Sequence, residues 1–268
     1  MLQVRETPVT DHRLTPYVAG YGLIRLRSDS IHEKELLPWP GGFLLFVNQA
    51  FELEGQTYPS GCLRGIHESA SCLRWQGDEL EVFAVRFAPC GLRPFLSEPL
   101  ERLTNSVSAA PELWNSPSPS VYRAVAAAPV LETKVTMVED FLIGTLNGGG
   151  IDAIDRTIME LADTLQHDPS ATVGPARERI PLGNRQFARR FKALTGVTLR
   201  TYLRICRFAY AKTSLLRSST PSLTALGYDA GYFDQAHFSR DFTHLAEQSP
   251  KRFPAHYPLH RLLAERDD

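Results

Sequence analysis

The sequence predicts an α+β chain of two domains, in which a β-rich N-terminal domain precedes an all-α C-terminal domain. Three observations support this fold class. Short apolar runs alternate with Gly and Pro up to about residue 118, helix-forming residues dominate after residue 120, and a pattern at 185–202 recurs at 236–253. A chain of 268 residues is long enough for two domains of ordinary size.

The N-terminal part contains several predicted strands. Apolar residues alternate or run together over 41–48, 50–58 and 79–89, and Gly and Pro separate these segments. The stretch "LEVFAVRF" in the third segment is apolar enough for a strand that is buried on both faces. We expect a loop over 108–120, which is rich in Ser and Pro.

Helical composition begins after this loop. Segment 121–146 has helix-forming residues interrupted by Pro129. The sequence "NGGG" at 147–150 is expected to be a linker, because the Lys-Ser/Thr pair of a phosphate-binding loop does not follow it. We therefore predict a β-rich domain with a C-terminal helical segment over 1–146 and a helical domain over 147–268. The predicted helix breaks in the second domain are Pro181, Gly196, Gly227, Gly231 and Pro250.

The net charge of −1 hides a strong asymmetry between the two parts of the chain. Residues 169–268 hold 16 Lys and Arg against 8 Asp and Glu, whereas residues 1–168 hold 13 against 22. Within 177–217 there are eleven basic side chains and one acidic side chain, Glu178. Such asymmetry favours a polyanionic partner for the C-terminal part, although a solvated, arginine-rich helical surface is an alternative.

The cysteines and the apolar runs argue against several classes of protein. The four cysteines contain no CxxC pair, which argues against a disulfide framework and a zinc site; they are Cys62, Cys72, Cys90 and Cys206. The longest apolar runs are too short to span a bilayer, and the first residues lack the apolar core of a secretory signal. We expect a reduced, cytoplasmic protein that needs no metal, cofactor or membrane.

The recurring pattern near the C-terminus is a helix with an aromatic face and a polar face. At an offset of 51 residues, four pairs match: Phe187 with Phe238, Arg189 with Arg240, Phe191 with Phe242, and Leu194 with Leu245. At about 100° per residue, the rings and the leucine of each copy share one stripe and the arginines lie opposite. One supersecondary unit is therefore used twice.

The segment before the second copy completes a helix-turn-helix unit. A short helix is expected over 222–229, Gly231 suits a turn that needs a positive φ, and Asp234 can cap the helix that follows. The rings would anchor this helix to the core, which leaves its polar face for a ligand. The first copy repeats the arrangement with more positive charge.

Side chains on the two polar faces have the chemistry of DNA recognition. Arg can bridge O6 and N7 of guanine, and Gln can do likewise with adenine. The candidate DNA-binding residues are Asn184, Arg185, Ala188, Arg189 and Lys192 on a helix at about 183–194, and Gln235, Ala236, His237 and Arg240 on a helix at about 234–245. Lys192, Arg190 and Arg200 are better placed for phosphates. For Arg240, a scaffold ion pair or a phosphate contact is as plausible as base reading, and His237 is expected to be a polar contact.

These motifs resemble the signature of the AraC/XylS family of bacterial transcription regulators. "LTALGYDAGYFDQAHFSRDFTHLAEQSPKRF" at 223–253 has the Gly-aromatic turn, the Phe-x-Arg-x-Phe helix and the Ser-Pro-x-x-Phe start of the last helix. "GNRQFARRFKALTGVTLRTYLRICRFAYA" at 183–211 resembles the first half of that domain. The resemblance implies two helix-turn-helix units joined by a connecting helix at 199–217. It also implies a double-stranded DNA operator read in successive major grooves about 34 Å apart, RNA polymerase as a partner of an activator, and a possible homodimer.

The chain departs from the family pattern at four positions. Arg177 and Gly227 stand where the family usually has alanine, and Pro181 and Gly183 stand where its first turn usually has Gly and Ser. Pro181 removes an amide and Gly183 offers no capping hydroxyl, so we expect an unusual first turn. Gly227 costs helix stability but allows close helix packing.

The N-terminal part resembles an uncharacterised β-rich domain that precedes AraC-type pairs, over 37–49 and 81–107. The resemblance implies a jelly-roll-like architecture and either binding of a small effector or dimerisation. Trp39, Trp75 and Trp114 are candidates for lining an effector pocket, or else they belong to the core.

Two other classes of function remain as alternatives. One is a DNA-acting enzyme of the repair type, although His12, His32 and His67 are scattered and neither HExxH nor Gly-x-Ser-x-Gly is present. The other is an adaptor whose basic helices meet acidic proteins. The cysteines Cys62, Cys72 and Cys90 could form a redox sensor, but buried apolar thiols are the more common case.

Overall fold

The computed structural model of the chain describes residues 2–27, 33–96, 98–109, 120–146, 151–217 and 222–253. Strands occupy the first part of the chain and helices the second. The strands are β1 Leu2–Thr7, β2 Val18–Arg27, β3 Glu33–Leu36, β4 Phe43–Val47, β5 Phe51–Leu53, β6 Gln56–Tyr58, β7 Gly61–Arg64, β8 Ser71–Trp75, β9 Glu79–Phe87 and β10 Val107–Ala109.

The strands form two antiparallel sheets. One sheet has the order β1-β2-β9-β4-β7-β10, and the other has the order β3-β8-β5-β6. Apolar side chains of both sheets meet in one core, for example Leu45 and Val82 of the first sheet with Phe51 and Leu73 of the second. The expected jelly-roll-like β domain is confirmed as this pair of facing sheets.

Strand β9 is buried on both faces, as its composition predicts. Leu80 and Val82 belong to the core between the sheets, whereas Phe83 and Val85 belong to a second core on the outer face of the larger sheet. Two helices, α1 Ser120–Ala127 and α2 Leu131–Thr145, cover that outer face.

Buried polar groups fix α2 to the β domain. Lys134 donates to the carbonyl oxygens of Val125 (2.7 Å) and Ala126 (2.8 Å) and pairs with Glu81 at 2.9 Å. Glu139, also on α2, accepts a hydrogen bond from the hydroxyl of Tyr21 at 3.1 Å. Because these groups are buried with their partners, each bond avoids the cost of an unpaired polar group.

The remaining helices form the C-terminal domain. They are α3 Ala153–His167, α4 Val173–Glu178, α5 Asn184–Thr195, α6 Leu199–Arg217, α7 Leu223–Asp229 and α8 Gln235–Ala246. The 19-residue helix α6 contributes Tyr202, Ile205 and Phe208 to the core of this domain. The two-domain fold class predicted from the sequence is thus confirmed.

The two domains touch at the C-terminal end of α5. Gly196, which follows α5, has φ +90°, and a Cβ there would lie 3.1 Å from the carbonyl oxygen of Leu100. The hydroxyl of Thr104 donates to the carbonyl oxygen of Gly196 at 2.6 Å, and Lys192 pairs with Glu101 at 3.3 Å. A glycine is required here because the left-handed conformation and the close approach coincide.

Several sequence predictions differ from the structure in detail. The segments 41–48, 50–58 and 79–89 contain β4 to β6 and β9, but β1, β2, β3, β7 and β8 were not predicted. Strand β10 extends into the expected loop at 108–120, of which 110–119 lie outside the described residues. Gly227 lies inside α7 rather than at a helix break. The predicted domain boundary at 147–150 also lies outside the described residues.

Candidate nucleic-acid interface and N-terminal pocket

The second helix-turn-helix unit consists of α7, a tight turn and α8. Gly231 has φ +81°, and the amide of Tyr232 donates to the carbonyl oxygen of Gly227 at 2.9 Å. The carboxylate of Asp234 accepts from the amide of His237 at 2.7 Å, which caps α8. The glycine turn and the acidic cap expected from the sequence are both present.

Aromatic rings anchor α8 to the domain. Phe238 and Phe242 are buried, their ring centroids lie 5.8 Å apart, and Phe242 packs against Phe208 of α6 at 5.0 Å. A Cβ on Gly227 would lie 3.3 Å from the Cβ of Phe238, so this glycine allows α7 and α8 to pack closely. The inward face predicted for this copy is therefore confirmed.

Arg177 builds the unusual turn of the first unit. Its guanidinium donates to the carbonyl oxygens of Ile180 (2.9 Å) and Leu182 (2.5 Å) and to Oδ1 of Asn184 (3.2 Å). It also lies over the ring of Phe187, 4.6 Å from the centroid. Arg177 thus satisfies the carbonyl groups on either side of Pro181, which an alanine at this position could not do.

The first unit is otherwise anchored like the second. Phe187 and Phe191 of α5 are buried, and Phe191 meets the ring of Tyr202 of α6 edge-on at 5.6 Å. The hydroxyl of Tyr202 donates to the carbonyl oxygen of Ala162 at 3.0 Å. Thr198 caps α6 by accepting a hydrogen bond from the amide of Thr201 at 3.2 Å.

Most of the predicted DNA-binding side chains lie on the surface. Eight are exposed and His237 is half-exposed; the exposed ones are Asn184, Arg185, Ala188, Arg189, Lys192, Gln235, Ala236 and Arg240. They lie on the faces of α5 and α8 that point away from the aromatic anchors. Within the described residues, no carboxylate lies within ion-pair distance of Arg185, Arg189 or Arg240.

Other basic and polar groups of the two units already have partners. Arg190, for which we expected a phosphate contact, instead bonds the carboxylates of Asp152 and Asp155 of α3, so this expectation is corrected. Gln235 accepts from the hydroxyl of Thr224 at 2.6 Å. His237 lies 3.6 Å from the carboxylate of Asp241.

The β domain contains a largely apolar cavity of about 200 Å³ between its two sheets. Side chains from seven strands line it, and one residue of the C-terminal domain, Lys212 of α6, reaches it as well. Trp39 also lines the cavity, next to Lys212. Nζ of Lys212 lies 5.7 Å, and the guanidinium carbon of Arg86 lies 5.9 Å, from the ring centroids of Trp39. The cavity is somewhat larger than the roughly 150 Å³ that holds a benzene molecule in a protein core.

Cationic side chains give this cavity its chemical character. Arg64 is 1% exposed and donates to the carbonyl oxygen of Leu36 and to the hydroxyl of Ser71, and its Nε has no hydrogen-bond partner among the residues that the structure describes. Burial lowers the pKa of Lys212 to about 8, with Arg86 and Lys34 adding to the effect. Burial also lowers the pKa of Lys34 to about 8.

Two acidic groups also line the cavity. Glu6 is paired with Arg86 at 3.1 Å, and Glu35 lies on the edge formed by β3. The sequence does not predict the cavity, because residues far apart along the chain form it. Of the tryptophans considered above, Trp39 lines it, Trp75 belongs to the core between the sheets, and Trp114 lies outside the described residues.

Two of the three cysteines considered as a sensor, Cys62 and Cys90, are core residues. Cys62 and Cys90 belong to different cores, and burial raises the pKa of the Cys62 thiol to about 12. Cys72 is half-buried and lies near Glu33 at 3.7 Å. Among the described residues, no cluster of His, Cys, Asp and Glu could hold a metal ion, and no helix is long and apolar enough to cross a membrane.

Comparisons with known protein families agree with the two-part organisation. A helix-turn-helix domain model matches residues 178–255, and a domain of unknown function, DUF6597, matches residues 9–109. None of the curated protein sequences matches the chain significantly.

Solved structures of ToxT from Vibrio cholerae have a similar fold. One matches with a TM-score of 0.52 at 12% identity and covers 95% of this chain and 97% of that chain. ToxT bound to (E)-4-(8-methylnaphthalen-1-yl)but-3-enoic acid matches with a TM-score of 0.50 at 13% identity, and the match covers 95% of this chain and 98% of that chain. An apo variant of ToxT matches with a TM-score of 0.51 at 13% identity, and the match covers 93% of this chain and 99% of that chain.

The likeness to ToxT extends over both domains, although identity this low shows the fold alone. The helix-turn-helix match covers both anchored helices and the two helices between them, α6 and α7. The chain therefore carries an AraC-type helix-turn-helix domain behind a DUF6597 domain, and it is a DNA-binding transcription regulator.

Proposed function

We propose that the protein inserts α5 and α8 into successive major grooves on one face of its DNA operator. The observation that carries this proposal is the pair of matching helices, each anchored by two buried rings and each presenting at least one exposed arginine without an acidic partner in the described residues. Helix α6 separates the two units and, with 19 residues, is about 28 Å long. This length suits the groove repeat of about 34 Å.

The side chains of the two helices divide into base readers and backbone contacts. Arg185, Arg189 and Arg240 are exposed and can present both guanidinium nitrogens to guanine. Lys192, at the C-terminal end of α5, is a phosphate contact that would have to leave Glu101. Gln235 presents its amide nitrogen, because its oxygen already accepts from Thr224.

Two adjacent arginines provide a matched test of this assignment. Arg189→Ala removes an exposed guanidinium that has no ion pair within the described part of the chain, and it is expected to relax base preference in the block bound by α5, at about 1–3 kcal/mol. Arg190→Ala removes the same charge but breaks the contact with α3, so it should lower stability and leave base preference unchanged. Identical footprints and identical losses on every sequence would contradict the assignment.

We also propose that the cavity of the β domain binds a small effector with an apolar body and one acidic group. Apolar side chains of both sheets would enclose the body, and Lys212, with Lys34 nearby, would meet the acid. Lys212 is half-buried and its amine is desolvated, and a desolvated cation is costly without an anionic partner, which favours an anionic ligand over a neutral one. The acid found bound to ToxT has this combination of an aromatic body and a carboxylate.

The position of Lys212 suggests how such an effector would control DNA binding. Lys212 lies on α6, the helix that holds the two units apart, while the cavity belongs to the β domain. A ligand that pairs with Lys212 therefore connects the β domain to the connecting helix. The ligand can change the free energy of DNA binding only by the amount by which its own binding free energy differs between the DNA-bound and the DNA-free arrangement of α6.

A titration with the acid that binds ToxT and with its primary amide tests the effector proposal. Trp39 fluorescence is the expected reporter, because its ring lies beside Lys212 and Arg86. The acid should bind more tightly than the amide, and Lys212→Met should abolish that preference. Equal affinities for acid and amide in the natural chain, or an acid preference that survives Lys212→Met, would refute the role of Lys212.

The remaining expectations rest on the family resemblance. RNA polymerase as a partner and a homodimer stay predictions of that resemblance. The helix-turn-helix match supports a regulator rather than a DNA-acting enzyme.

A further inference from the structure

We propose that Phe233 contacts the C5 methyl group of a thymine in the block of base pairs bound by α8. This inference rests on the proposed insertion of α8 into the major groove. Phe233 is 86% exposed and is the most exposed large hydrophobic side chain among the described residues. The ring is therefore free to form an apolar contact when α8 enters the major groove.

The backbone around Phe233 is held by contacts on both sides. The amide of Gly231 donates to Tyr228 at 2.8 Å, and Asp234 caps α8. The buried ring of Tyr232 packs against the ring of Phe238 at 5.5 Å. Because Tyr232 faces the core, the next side chain, Phe233, is directed to the solvent by a fixed turn.

The ring lies at the end of the recognition helix that approaches base edges. Gln235 and Ala236, the first residues of α8, are also exposed and are the nearest candidates for base contacts along the chain. In helix-turn-helix proteins the N-terminal residues of the second helix contact the bases. Phe233 immediately precedes the cap of this helix and shares that exposed corner.

The chemistry of the ring selects one partner among the groups of the major groove. Phenylalanine neither donates nor accepts hydrogen bonds, and the C5 methyl of thymine is the apolar group that base edges present in this groove. Cytosine lacks that methyl group, so a contact with it discriminates thymine from cytosine. The first unit has Leu182 at the matching position, where the side chain is half-buried against the core.

The test removes the methyl group and the ring separately. A site is first selected from random DNA with the full-length protein, and each thymine of the second block is then replaced by deoxyuridine, which lacks only the methyl group. The natural protein should lose about fourfold in affinity at one position, as expected for one buried carbon. Phe233→Ala should bind thymine and deoxyuridine DNA equally. Tyr228→Ala, which removes another exposed ring, should keep the fourfold difference.

Every other result would overturn the proposed contact between Phe233 and a thymine methyl group, and each result has a different explanation. A natural protein that is indifferent to deoxyuridine has no methyl contact. A methyl effect that persists in Phe233→Ala belongs to another residue. If Phe233→Ala weakens both DNAs equally, the ring contacts the sugar-phosphate backbone, and if it changes the affinity for neither DNA, the ring does not contribute to DNA binding. If selection gives no preferred site, the proposed function itself fails, and the inference fails with it.

Discussion

Replacing Lys212 by methionine is expected to make the protein more stable at neutral pH. Burial and the neighbouring cations Arg86 and Lys34 lower the pKa of Lys212 from 10.5 to about 8. At about 1.4 kcal/mol per pKa unit, keeping this amine charged in the folded protein costs about 3 kcal/mol at pH 7. The contact with Trp39 offsets on the order of 1 kcal/mol of that cost. Lys212→Met should therefore raise the free energy of unfolding by about 2 kcal/mol.

The gain in stability from Lys212→Met is expected to decrease as the pH rises. Between pH 8 and 10.5 the unfolded chain keeps the proton of Lys212 while the folded chain releases it, so the stability of the natural protein rises with pH in this window. The advantage of Lys212→Met should shrink to below about 1 kcal/mol at pH 10. Glu6 and Glu35, which also line the cavity, are present in both proteins and cancel in the difference.

Urea unfolding followed by far-UV circular dichroism at pH 7 and pH 10 measures both quantities. A natural protein that is more stable than Lys212→Met at pH 7 would refute the claim that the amine is a desolvated, costly charge. An advantage of equal size at both pH values would refute the assignment of that cost to the charge. The expected combination of higher stability with lost binding of the acid is typical of a functional site.

Two further predictions concern the turns of the helix-turn-helix units. Arg177→Ala removes three hydrogen bonds of the first turn, including the one to Asn184, and should lower stability by about 2 kcal/mol and weaken binding to the block under α5, as measured by urea unfolding and DNA titration. Gly231→Ala should cost about 2 kcal/mol or more, because it forces a positive φ and places Cβ 2.9 Å from the carbonyl oxygen of Pro169. The matched control Gly227→Ala, at 3.3 Å from its nearest neighbour, should cost less than about 1 kcal/mol.

The helix-turn-helix units could be predicted because their determinants are local and occur twice. The spacing of Phe238 and Phe242 identifies the buried face, and Gly231 and Asp234 mark the turn and the cap, all within twelve residues. Such short-range signals can be recognised in the sequence without knowledge of the tertiary structure. The departure at Arg177 was visible in the sequence, but its role was not, because the carbonyl groups it satisfies depend on the path of the turn.

The cavity and the ion pairs could not be predicted because they depend on long-range contacts. Lys34, Arg64 and Lys212 lie on elements separated by up to 178 positions, and only the folded sheets bring them to one cavity. Arg190 looks equivalent to Arg189 in the sequence, yet it meets two acids of α3, 35 and 38 residues earlier. Strands β1 and β2 were missed because they depend on long-range pairing, of β1 with β2 and of β2 with the distant β9, which their own residues do not reveal.

Selection from random DNA with the full-length protein at moderate salt tests the central claim most directly. The account predicts two conserved blocks about one helical turn apart, with affinity that falls steeply as salt rises. Arg189→Ala should relax the first block only, and Arg240→Ala the second only. A single conserved block, or retention by charge without any enriched sequence, would contradict the claim that two matched helices read successive grooves.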